Sequence, residues 1–110
     1  MTDKRIVLST AGSTEESRKV ARFLVERQLA ACVNIIPHIE SVYLWQGKIE
    51  ASHECLLLIK TSADQFPAVR DAICELHSYE LPECLALGVE DGSSEYLDWL
   101  GDSLGGDVAP

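Results

Sequence analysis

Residues 31–61 read ACVNIIPHIESVYLWQGKIEASHECLLLIKT, and this stretch decides the fold. Val33, Ile35, Ile36, Ile39, Val42 and Tyr43 make residues 31–45 rich in β-formers, with Pro37 the single breaker and so a bulge or edge position. A second run over 48–61 ends in Cys55-Leu56-Leu57-Leu58-Ile59. Between the two, Gln46-Gly47 has the length of a two-residue turn, and Gly47 supplies the positive φ that such turns need. The whole stretch reads as one long hairpin.

Upstream, Arg5-Ile6-Val7-Leu8-Ser9 is a short strand, and Ser13 with Glu16 has the spacing of a capping box. The helix it opens, residues 14–28, carries Ser17, Val20, Ala21, Leu24 and Gln28 on one face and Arg18, Arg22 and Glu26 on the other. Downstream, Ser62, Asp64 and Pro67 open a second helix whose Phe66, Val69, Ile73 and Leu76 form a one-sided apolar stripe. Residues 78–83 read as a loop, 84–89 as a fourth strand, and Asp91-Gly92-Ser93-Ser94 as a turn with cap candidates. A last short helix spans 95–104, and residues 105–110 are a frayed tail. The order β-α-β-β-α-β plus a terminal helix is the split βαβ pattern of a ferredoxin-like sandwich. The expectation is an α+β fold with two helices over one face of a four-stranded antiparallel sheet, a single domain over residues 1–110.

Composition narrows the function. One hundred and ten residues are one domain's worth of chain, 46% hydrophobic and 25% charged, as in ordinary globular proteins. Nine Lys and Arg against 18 Asp and Glu give a net charge of −9, which repels phosphate backbones and anionic lipid, so neither nucleic acid nor membrane is an expected partner. No secretion signal or spanning segment is read. Cys32, Cys55, Cys74 and Cys84 lack any Cys-x-x-Cys pair, which fits packing side chains in a reducing cytoplasm. No phosphate loop, HExxH or GxSxG pattern occurs, and no Cys or His has an activating neighbour in sequence, so the chain is not read as an enzyme.

Strands of this length, at about 3.4 Å per residue, would reach roughly 50 Å, far beyond the ~13 Å radius of gyration of such a domain. The far end carries Ile39, Val42, Tyr43, Leu44, Trp45 and Ile49. Either other copies of the chain cover it or the hairpin bends at Pro37 and folds back on its own core; assembly is favoured, because exposed strand edges template pairing.

Four blocks carry a family resemblance: residues 29–37 (LAACVNIIP), 43–49 (YLWQGKI), 58–61 (LIKT) and 77–83 (HSYELPE). In these, and over the span from Val7 to Leu100, the sequence resembles the CutA family of divalent-cation-tolerance proteins. The resemblance implies a ferredoxin-like homotrimer whose long hairpins join three sheets edge to edge, and a role in the response to metal ions, with copper or another divalent cation as ligand and no obligatory cofactor. The copper attribution rests on a Cys late in the first strand and two adjacent His after the second helix. Here Ser9 and Leu76 stand at two of those positions, leaving His77, and Ser78 replaces the usual Pro.

His77 is thus a candidate metal ligand, with stabilisation of the helix end as the alternative role. Glu83, if near it, would add an oxygen ligand or orient the ring. Tyr43, Trp45 and Tyr79 are candidates for a subunit interface or a pocket wall. A second constellation follows from hairpin register alone. A two-residue turn at Gln46-Gly47 sets Glu40 opposite His53 and His38 opposite Cys55 on one sheet face, a candidate site for a borderline-soft cation such as Zn(II) or Cu(II) unless a bulge at Pro37 breaks the register. A PII-like signalling or scaffold trimer that binds a small organic ligand or a protein partner is the alternative function.

Overall fold

The turn at Gln46-Gly47 forms with both residues at positive φ, 52° and 82°, the geometry that matches strand twist in a two-residue hairpin. In the computed structural model, which describes residues 1–105, it joins β2 (Cys32–Trp45) to β3 (Lys48–Ser62). Around this hairpin stand β1 (Lys4–Ala11), α1 (Thr14–Glu26), α2 (Phe66–Leu76), β4 (Leu85–Gly88) and α3 (Ser94–Asp102). The sheet is antiparallel in the order β2-β3-β1-β4, as a ferredoxin-like sandwich requires.

Alternation along the strands fixes the two faces. Val7 and Ala11 of β1 and Leu57 and Ile59 of β3 are buried against Val20 and Leu24 of α1 and Val69, Ala72 and Ile73 of α2. The apolar stripes expected for both helices form this core, and each fully buried Leu, Ile or Val contributes roughly 1.5–3 kcal/mol. Buried Thr61 donates its hydroxyl to Leu29 O at 2.6 Å and so anchors the chain that leaves α1. No described helix is long and apolar enough to cross a membrane.

Three boundaries shift for identifiable reasons. α1 stops at Glu26 because Gln28 takes φ 58°, while Leu29 N–H bonds Leu24 O and Gln28 N–H bonds Val25 O, a Schellman ending with Gln where Gly is usual. β4 is only Leu85–Gly88, because it pairs solely with Arg5–Leu8 of β1 and has no neighbour beyond. Gly105, expected in the tail, is instead held by its N–H on Gln28 O at 3.0 Å; residues 106–110 lie outside the described residues.

The hairpin does not fold back. Val42, Leu44 and Ile49 at its tip are 67%, 70% and 79% exposed, and the longest dimension of the molecule is 44 Å. At Pro37 the expected bulge forms: Ile36 pairs with Leu56 and Ile39 with Glu54, so Pro37 and His38 together oppose only Cys55. Pro37 has no N–H for the ladder, and His38 turns to φ 64°.

Candidate functional site

Where the hairpin outruns β1, the loop after α2 comes round to meet it. A cleft of about 740 Å³ opens there, lined by Thr10 of β1, Ser41, Val42, Tyr43 and Trp45 of β2, Glu50 and Glu54 of β3, and Tyr79, Glu80, Leu81 and Glu83 of the loop. Tyr43, Trp45 and Tyr79, read from the sequence as an interface or pocket set, thus line one cavity within a single chain. Strand alternation explains most of the pattern: Tyr43 opposes Glu50, Trp45 opposes Lys48 and Ile39 opposes Glu54 on one hairpin face, whereas Leu44, Ile49 and Ala51 lie on the other together with Val42, which lines the cleft all the same.

A polar bracket holds the loop. His77 caps α2, its N–H bonding Ile73 O. Its Nε2 lies 2.5 Å from Thr10 O, which only accepts, and its Nδ1 is 3.0 Å from Tyr79 N–H, which only donates. The Nε2–H tautomer follows, and both ring nitrogens are occupied. His77 is therefore buried, with both ring nitrogens engaged inside the chain, and its ring brackets β1 to the loop. Glu83 faces the cleft instead of orienting this ring.

Tyr79 stacks on His77 with ring centroids 4.5 Å apart and donates its hydroxyl to Glu54 Oε2 at 2.8 Å. Burial pushes the Tyr79 phenol well up, and the Glu54 hydrogen bond and negative charge push it further. Gly12 makes room for this ring: a Cβ there would lie 3.1 Å from the phenolic oxygen. The Ser13–Glu16 spacing gives half a capping box. Ser13 Oγ accepts from Glu16 N–H, while the Glu16 carboxylate turns to the loop, accepting Ser78 N–H at 2.7 Å and Ser78 Oγ–H at 3.1 Å. Burial alone would raise the Glu16 carboxyl, but those two bonds, together with the neighbouring His77 and the Gly12 backbone, hold the group below its ordinary value. The clasp explains Ser78, since a Pro there would offer neither donor.

The second constellation forms only in part. Glu40 and His53 do pair across the strands, but the bulge leaves His38 without a ladder partner, and Cys55 pairs with Ala11 and is buried while His38, Glu40 and His53 are exposed. Among the described residues no three His, Cys, Asp or Glu side chains converge to hold a metal ion. The register argument failed at the residue that lacks an N–H. All four cysteines are free, and burial raises the thiol of Cys84, with Cys74 adding to it. What sequence reading missed is that Glu50, Glu54 and Glu80 share a cavity with the three aromatic rings; strand alternation signalled it for the hairpin pair, and nothing signalled it for Glu80.

Strand order, two helices on one face and a hairpin that outreaches its sheet place this chain among the ferredoxin-like α+β sandwiches. Within them it belongs to the CutA1 divalent ion tolerance protein family, whose model matches residues 5–103. It is 45% identical over 102 residues to the divalent-cation tolerance protein CutA of Thermus thermophilus, covering 93% of this chain and 99% of that one. The solved structure of the Thermus thermophilus protein superposes with a TM-score of 0.91 over 93% of this chain and 99% of that chain. That of CutA from Xylella fastidiosa gives 0.92 at 40% identity, over 94% of this chain and 100% of that one.

Proposed function

We propose that this chain serves divalent-cation tolerance as a homotrimeric, non-enzymatic protein of the cytoplasm, and that copper or another divalent cation engages it weakly. Membership of the divalent ion tolerance family supplies the role. The observation that carries the assembly is the hairpin tip, where Val42, Leu44 and Ile49 stand in water on one face beyond the helices. The free edges of β2 and β4 offer the backbone donors and acceptors for joining copies. Four free thiols support a reducing compartment. Weak metal engagement rests on His77 having both nitrogens taken and on the scatter of the remaining candidate ligands, which leaves a bound ion mostly to water.

Sedimentation at micromolar protein tests the assembly: the expected mass is that of three 12.1 kDa chains, and Ile49→Lys should lower it without loss of helix signal. A single-chain mass for the parent protein would overturn it. Titration of the metal-free protein with Cu(II) tests the other half, because a tight stoichiometric site would contradict weak engagement.

A further inference from the structure

We draw no further inference here: the strongest candidate, the thiol pair of Cys74 in the last turn of α2 and Cys84 at the entrance to β4, rests only on the push that one thiol gives to the other's ionisation, with both cysteines free and no contact joining their sulfurs.

Discussion

Replacing Ser78 with Pro should destabilise the protein although the backbone accepts it. His77 sits at φ −78°, ψ 144°, the extended conformation a residue before Pro adopts. What the substitution removes is the clasp: the 2.7 Å bond from Ser78 N–H and the 3.1 Å bond from its hydroxyl, both to Glu16. Hydrogen bonds to a charged group contribute about 1.5–3 kcal/mol each when well shielded. The Glu16 side chain keeps 16% exposure and water replaces the lost donors in part, so about 2 kcal/mol for the pair is the reasonable sum. Proline returns roughly 0.4–1 kcal/mol by restricting the unfolded chain. A net loss of about 1–1.5 kcal/mol remains, which for a domain this size lowers Tm by about 4–6 °C. Thermal melts at fixed protein concentration read it, and Glu16→Gln in both backgrounds gives a double-mutant cycle with coupling of about 1 kcal/mol. The pH dependence has a definite sign. Because the folded Glu16 carboxyl lies below its ordinary 4.5, its contribution is complete above about pH 4.5 and is lost as pH falls through the folded value. The gap between parent and Ser78→Pro should therefore narrow on acidification. A variant as stable as the parent, with no coupling to Glu16, would refute the reasoning.

Tyr79 should ionise last of the three tyrosines in an absorbance titration, and Tyr79→Phe should abolish the late step; simultaneous ionisation of all three in the folded protein would contradict the Glu54 bond. Since its folded pKa is raised, the stability it contributes is full below pH 10.0 and declines as pH climbs beyond. Gln28→Gly should add about 0.5–1 kcal/mol of stability, read as a higher urea midpoint, because it relieves a left-handed residue with an exposed side chain and keeps the backbone carbonyl that holds Gly105. An unchanged midpoint would mean that Gln28 is unstrained.

The sheet and both core helices were legible because their signals are local and periodic: Val20 and Leu24, Val69 and Ile73, and the turn at Gln46-Gly47 each fall where spacing puts them. Register was legible from the turn as far as Ile39, since each pair follows from the last, and was lost where Pro37 withholds an N–H and adds a residue. The site was less accessible. Tyr43 and Trp45 announced themselves as aromatic residues at an apolar tip, but the fate of His77 depends on Thr10 O, 67 residues earlier in the chain, which no spacing reveals. Glu16 shows the same limit, its local cap motif being overridden by a partner 62 residues away.

The interruption at Pro37 and His38 bears on how large an assembly can grow. β2 is an outer strand, and fourteen unbroken residues on an outer edge would invite one chain after another to add on without end, the geometry of a fibre. With a missing N–H and a left-handed residue near its middle, that edge offers two short ladders at an angle rather than one long straight one. An incoming strand can match one half but not continue in register along the other. The same defect that disperses a candidate metal cluster thus works against open-ended polymerisation.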